Sequence, residues 1–222
     1  MDIKANLETV KKTFLNPDCL LVAVSKTKPL SDLKEAYEVG IRDFGENKVQ
    51  ELQAKQPEMP DDVHWHMIGH LQSNKVKYIA PFVHLIHGVD SFKLLKEINK
   101  QGKKIDRIIS ILLQIHIAEE ETKFGFDRAE LEDMLGDSDF QSLTHIKIQG
   151  LMGMATFTEN KDQVRKEFRG LKTFFDELNE SQLPSFVQLQ DISMGMSGDY
   201  LIAQEEGSTM VRIGSAIFGG RG

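Results

Sequence analysis

Eight short apolar segments recur along this chain, each but the last followed by an amphipathic stretch, and that rhythm limits the fold more than any other feature. The segments cover residues 20–24, 41–44, 63–69, 83–87, 105–117, 146–152, 186–192 and 209–213. Between them, residues 31–40, 45–55, 73–80, 91–101, 127–135 and 161–179 read as helices, as does a stretch through Tyr200 and Ala203 that stops at Gly207. Ser31, Ser91 and Asp127 stand where N-caps belong, and Gly40, Gly102 and Gly207 where helices end. Strict strand-then-helix alternation implies parallel strands joined by right-handed crossovers. Eight such units fit a closed α/β barrel of the (β/α)8, TIM type better than an open doubly wound sheet, although 222 residues lie near the short end of that fold's usual ~200 to 400. The tail after Ile213 is too short for a full eighth helix. Residues 2–15 place Ile3, Leu7, Val10 and Phe14 at helical spacing, and this N-terminal helix is expected to pack in the gap. No linker or low-complexity tract divides the chain, so residues 1–222 are read as one barrel domain.

Composition works mainly by exclusion. With 40% hydrophobic and 27% charged residues the chain can bury a full core, and it has the profile of neither a disordered nor a membrane-spanning protein. A net charge of −7 argues against a phosphate-backbone binder, which would present a basic face. One cysteine, Cys19, cannot form an internal disulfide, and Met1-Asp2-Ile3-Lys4 does not open a secretion signal. The expected address is a reducing cytoplasm, with neither nucleic acid nor membrane as partner.

In a parallel barrel the chemistry gathers at the C-terminal strand ends. Lys26 follows the apolar run Leu20-Leu-Val-Ala-Val24, so its amine should stand at that mouth. Desolvation there lowers an ammonium's pKa and frees a nucleophilic amine for imine formation, although a strand-end lysine also serves simply to meet water. The other mouth residues are Asn47, His66, Gly69-His70, Gly153-Met154, Ser193-Met194-Gly195-Met196-Ser197, Arg212 and Gly214-Ser215. Loops after strands seven and eight build phosphate sites in this fold. Hydroxyls from Ser193 and Ser197, with Gly195, Gly198 and Gly214 letting backbone N–H groups come close, suit an anion. The alternative is an ordinary strand-to-helix turn capped by Ser197 or Asp199. An imine-forming amine facing a phosphate cradle across one mouth suits pyridoxal 5′-phosphate (PLP).

Seven ordered motifs then carry a resemblance: Ala23-Val-Ser-Lys-Thr-Lys-Pro29, Phe44-Gly-Glu-Asn47, His64-Trp-His-Met-Ile-Gly-His-Leu-Gln-Ser-Asn-Lys75, Lys123-Phe-Gly125, Gly150-Leu-Met-Gly-Met154, Ser193-Met-Gly-Met-Ser197 and Val211-Arg-Ile-Gly214. From about residue 20 onward the chain resembles the YggS/PROSC family of PLP homeostasis proteins. The resemblance implies a barrel similar to the N-terminal domain of alanine racemases, PLP fold type III without the C-terminal β-domain. It implies PLP held as a Schiff base on Lys26, Arg212 facing the pyridine nitrogen, and Ser197, Gly214 and Ser215 on the phosphate. Asn47, Ser193 and Met194 complete the expected cofactor-binding set. A guanidinium only donates, so Arg212 should leave the ring nitrogen unprotonated and the ring a poor electron sink. Racemases of this fold draw a second base, a tyrosine, from their β-domain, whereas Tyr37, Tyr78 and Tyr200 fall on predicted helices here.

The expected function is therefore intracellular PLP homeostasis by a monomeric carrier without turnover. PLP-dependent apoenzymes are its possible recipients, and amino or keto acids its possible small-molecule partners. The alternative is a weak amino-acid racemase or lyase using the same site. A third class, a barrel that only scaffolds a partner, predicts a colourless protein. Lys28 is expected on Lys26's side of an extended strand, and Lys123 could accept the aldehyde or serve only to solvate its loop. The strand-five segment Leu113–Glu119 departs from the family pattern, in which an Asn is expected near His116. His64, His66 and His70 lack the further ligand and carboxylate support that a zinc site wants. The methionines at 152, 154, 194 and 196 read as packing residues, so no metal is expected.

Overall fold

The computed structural model describes residues 2–119 and 124–220, and in it eight parallel strands close into a barrel in sequence order. These are β1 (Leu20–Val24), β2 (Asp43–Glu46), β3 (His64–Met67), β4 (Leu85–Val89), β5 (Ile109–Ile115), β6 (Ile146–Gly153), β7 (Val187–Met196) and β8 (Met210–Ile213). Pairing of Leu20 with Met210 through Ala23 with Ile213 closes the ring. The helices outside it are α1 (Ile3–Lys12), α2 (Leu30–Glu38), α3 (Val49–Lys55), α4 (Val76–Ile79), α5 (Phe92–Lys104), α6 (Arg128–Gly136), α7 (Ser138–Gln141), α8 (Lys161–Glu180), α9 (Tyr200–Glu205) and α10 (Ser215–Phe218).

Successive side chains on a strand point to opposite faces, which here means into the barrel or out beneath the helices. Val22, Leu85, Leu112, Met152 and Met210 fill the interior. A much larger layer, including Ala23, Phe44, Ile86, Ile111, Leu151, Ile192 and Val211, packs under helical residues such as Leu33, Leu95, Phe168 and Leu171. Each fully buried aliphatic or aromatic side chain contributes about 1.5–3 kcal/mol relative to exposure.

Caps follow the sequence closely at two helices. The Ser91 side chain accepts from Leu94 N–H, and Asp127 forms a reciprocal capping box with Glu130. Ser31 does not cap: α2 begins one residue earlier behind Pro29, which has no side chain to offer. The β-branched run from residue 105 also reads differently in space. Helix α5 continues to Lys104, and β5 begins only at Ile109. Ile105 and Ile108 lie exposed on a turn where Asp106 takes φ 53°. Gly102 sits inside the helix because a Cβ there would come within 2.6 Å of the Arg107 carbonyl.

Beyond β8 the described residues make only the single turn α10, and α1 packs across it. Asn6 Nδ2 donates to the Ile217 carbonyl (2.9 Å) and Ile3 N–H to Glu35 of α2 (3.1 Å), while Ile3, Leu7 and Val10 are buried. Among the described residues no helix is long and apolar enough to cross a membrane.

Candidate functional site

A cavity of about 440 Å³ opens at the C-terminal ends of the strands. Lys26, Asn47, Ser197, Arg212, Gly214 and Ser215 all line it, so six of the eight residues singled out in the sequence converge on one space. Ile68, Met154 and Met196 supply apolar wall, and Thr27, Lys28, Phe157 and Asp199 complete the rim.

Lys26 is presented by a turn. Ser25 N–H bonds the Gly45 carbonyl (3.0 Å), Lys28 N–H returns to the Ser25 carbonyl (3.0 Å), and Thr27 between them takes φ 64°. Left-handed backbone is rare for a β-branched residue, so the turn must be held from outside. Glu51 Oε2 accepts from Thr27 N–H (2.7 Å), and Lys55 Nζ donates to the Ser25 carbonyl and to Glu46 Oε1 (both 2.8 Å). Ser25 Oγ donates to the same Glu46 oxygen (2.6 Å). Burial pushes the Glu46 carboxyl up despite these donors, and its Oε2 has no hydrogen-bond partner among the described residues. This turn also corrects the reading of Lys28. The chain is not extended there; Lys28 reaches the cavity rim because the turn folds it back, with Nζ on the Gly220 carbonyl (2.9 Å).

Across the cavity, Ser197 Oγ accepts from Gly214 N–H (3.2 Å), joining the ends of β7 and β8. Asp199 precedes α9, yet its side chain turns back to accept from Met196 N–H. Asp199 does stand at the N-cap of α9, so the segment is a strand-to-helix turn, but neither side chain bonds the first turn of that helix; both are spent within the loops at the mouth. Gly195 takes φ 93°, and a Cβ there would stand 2.6 Å from Ala203 Cβ. The Ser197 and Ser215 hydroxyls line the cavity there beside Gly198 and Gly214, residue types that suit an anion. On the β2 side, Gly69 passes so close to Asn47 that a Cβ would lie 2.5 Å from its carbonyl oxygen.

Arg212 is 3% exposed at the cavity floor. Nη1 donates to the Ser193 carbonyl (2.8 Å) and to Ser193 Oγ (2.6 Å), and Nη2 donates to the Gly153 carbonyl (3.2 Å). Burial lowers the guanidinium to about 10, which leaves it charged at neutral pH.

Ser193 and Met194 do not line the cavity. Ser193 faces inward but stands behind Arg212, which covers it; Met194 is the next residue on the strand and therefore points outward into the helix layer. His66 is wholly buried inside the barrel, below the mouth, and His70 lies in a neighbouring recess with Asn47, Lys48 and Lys75. There His70 bonds Asp90 (3.0 Å) and stacks on Phe124. Lys123 lies outside the described residues. The trio of histidines weighed for zinc is therefore not assembled. Asp43, His66 and His84 instead bring potential ligand atoms within 4.8 Å at the opposite end of the barrel, where His66 Nε2 and His64 Nδ1 already engage Asp43 Oδ1 (3.0 and 3.1 Å).

The sequence reading missed Thr27, Asp199 and the Glu46–Lys55–Glu51 group. Only the Glu51–Lys55 spacing of four on a helix was a visible signal. The others depend on which loops meet.

Residues 1–222 match the family described as alanine racemase, N-terminal domain. A pyridoxal phosphate homeostasis protein from Aquifex aeolicus is 40% identical over 202 residues, spanning 90% of this chain and 86% of that one. Its namesake from Pasteurella multocida is 38% identical over 226 residues, spanning 99% and 94%. Among solved structures, PipY of Synechococcus elongatus with PLP bound superposes with a TM-score of 0.88 at 34% identity, covering 98% of this chain and 100% of that one. An alanine racemase from Clostridium difficile, 14% identical, reaches 0.82 over 99% of this chain and 60% of its own, a likeness of fold alone.

Proposed function

The chain belongs to the alanine racemase N-terminal domain family and, within it, to the pyridoxal phosphate homeostasis proteins, and on that premise we propose that it holds PLP at the barrel mouth as an intracellular carrier. The observation that carries this reading is the convergence of Lys26, the buried Arg212 guanidinium and the Ser–Gly segments at the ends of β7 and β8 on a single small cavity. PLP, when bound, supplies an aldehyde that an amine can capture reversibly. Lys26 would hold that aldehyde through its amine, the condensation releasing water. Ser197, Gly214 and Ser215 receive the phosphate. Arg212 faces the pyridine nitrogen and, being only a donor, leaves it unprotonated. Asn47 borders the ring, and Ile68, Met154 and Met196 exclude water around it.

A ring nitrogen paired with a guanidinium is a weak electron sink, which favours holding PLP over turning over amino acids. The carrier is cytoplasmic and monomeric, and PLP-dependent apoenzymes receive its cargo. Titration with PLP followed by absorbance tests the site. An imine band near the visible edge should appear, borohydride should fix it on Lys26, and Lys26→Ala should abolish it. A band unaffected by that substitution sinks the proposal. Deuterium exchange at the α-carbon of a panel of amino acids then separates the two functional classes, since appreciable exchange replaces the carrier with an enzyme.

A further inference from the structure

We infer that Ser193, His87, His66 and Asp43 form a one-directional hydrogen-bonded line through the barrel whose task is to orient Arg212 and sustain its charge; they are positioning residues for the proposed PLP site. Four contacts make the line. Arg212 Nη1 donates to Ser193 Oγ (2.6 Å), which meets His87 Nδ1 (2.9 Å); His87 Nε2 meets His66 Nδ1 (2.9 Å); His66 Nε2 meets Asp43 Oδ1 (3.0 Å). Ser193, His87 and His66 are fully buried. Since β4 and β7 are not neighbours in the ring, the contact from His87 to Ser193 crosses the barrel interior.

The direction of every bond follows from the two ends. A guanidinium cannot accept, so Ser193 Oγ accepts from Arg212; His87 Nδ1 is the one other partner of that hydroxyl among the described residues, and a buried hydroxyl proton left unpaired is costly, so it goes to His87 Nδ1. His87 must then carry its hydrogen on Nε2 and donate it to His66 Nδ1. His66 in turn carries its hydrogen on Nε2 and donates to Asp43. From the far end, an ionised carboxylate only accepts, which independently places a hydrogen on His66 Nε2. Both ends impose the same polarity, and no donor meets a donor. The three neutral dipoles, the Ser193 hydroxyl and the two imidazoles, turn their negative ends toward the guanidinium, which stabilises its charge in a region of low dielectric. A proton added to His66 would set its Nδ1–H against His87 Nε2–H, and one added to His87 would set Nδ1–H against the Ser193 hydroxyl proton. Burial above all, with the Arg212 charge adding to it, holds His87 well below the ordinary imidazole range.

Packing alone does not account for these residues. Their apolar neighbours in the interior include Val22, Leu85, Leu112, Met152 and Met210, and a buried polar group serves a core less well than an apolar one of similar volume. With both Nη1 hydrogens and one Nη2 hydrogen spent on Ser193 and Gly153, the guanidinium plane is fixed. Its second Nη2 hydrogen has no acceptor among the described residues and remains for an occupant of the cavity.

Two measurements test the line. In the protein without PLP, nitrogen-15 NMR at neutral pH should find both His66 and His87 neutral with the hydrogen on Nε2. Asp43→Asn, whose amide oxygen still accepts, should keep that pattern, and Asp43→Ala should release the His66 tautomer. An Nδ1-protonated or doubly protonated ring in the parent protein overturns the inference. In protein loaded with ring-labelled PLP, Ser193→Ala and His87→Leu should move the ring-nitrogen resonance toward its protonated position and weaken PLP about tenfold, as loss of one charge-assisted hydrogen bond predicts. Leu112→Ala, which disturbs the interior without touching the line, should leave the resonance in place. An unmoved resonance in both line variants overturns the inference. If His87→Leu does not fold, Ser193→Ala carries the test. If the parent takes up no PLP, the proposed function fails, and the tautomer measurement still judges the line by itself.

Discussion

The turn that carries Lys26 and the strand that carries Arg212 are both secured by buried polar groups, but the first fastening is ionic while the second is neutral over most of its length. Glu46 and Lys55 meet between the barrel wall and α3, with side chains 0% and 10% exposed, and Glu51 joins them at 3.3 Å. Their work is mechanical: they grip Ser25 and Thr27 and so hold a left-handed residue beside Lys26. The Ser193–His87–His66 line carries no charge between its ends and leads away from the mouth toward Asp43. Charge pairs tie a strained loop firmly, whereas aligned neutral dipoles fix the direction of a donor without adding a charge that would compete with it.

The contrast breaks most visibly at Lys55. Lys55→Met leaves Glu46 buried without its counter-charge and is expected to cost about 3–5 kcal/mol, lowering the thermal midpoint by about 2–4 °C for each. Adding Glu46→Leu should recover much of that loss in urea titrations, because the orphaned charge is then gone. No recovery in the double variant means that the pair acts through something other than charge compensation.

A smaller loss is expected on the neutral side. Ser193→Ala strands a donor on Arg212 and an acceptor on His87, and unsatisfied buried groups cost about 1–3 kcal/mol. A loss as large as that at Lys55 would show that the line behaves as an ionic group.

Acidity should push the two fastenings in opposite directions. Burial and neighbouring positive charge lower His84 from 6.5 to about 4 and also lower His87, so the unfolded chain binds those protons first. Their contribution is complete above pH 6.5 and is lost as the pH falls toward about 4. Glu46 is raised above 4.5 by burial, so the folded state binds its proton first and its contribution fades as the pH rises through that raised value. Stability curves for His87→Leu and Glu46→Gln, each compared with the parent, should therefore depart with opposite slopes in weak acid. The same slope for both would erase the distinction.

The least effect belongs to Thr27. Glycine relieves a left-handed strain of roughly 1–2 kcal/mol, while the freer unfolded chain takes back about 0.5–1 kcal/mol, so Thr27→Gly should leave the urea midpoint within about 1 kcal/mol of the parent. A large loss would mean that the Thr27 side chain, and not its backbone, secures the turn.

Much of this architecture is legible without coordinates because its signals are local. The apolar runs at residues 20–24 and 146–152, the Ser91 cap and the Asp127–Glu130 capping box each report on a few consecutive residues, and each stands where the pattern puts it. Local signals misled where an apolar run bends. Residues 105–108 look like strand, yet they form the exposed turn that lets Arg107 reach the Ala80 and Val83 carbonyls. At the mouth, position at a strand end was enough to bring Lys26, Asn47, Ser197, Arg212, Gly214 and Ser215 together. It could not separate Ser193 from the cavity, because the residue that covers it comes from a different strand.

The sequence by itself determined the alternation of strand and helix, and with it the parallel barrel and the end at which its reactive groups collect, because period and chain polarity are properties of neighbouring residues. Tertiary structure alone decided what those groups are fastened to. Ser25 meets Glu46 across 21 positions and His87 meets Ser193 across 106, and hydrogen bonds over such separations exist only once the ring has closed and excluded the water that would otherwise satisfy them.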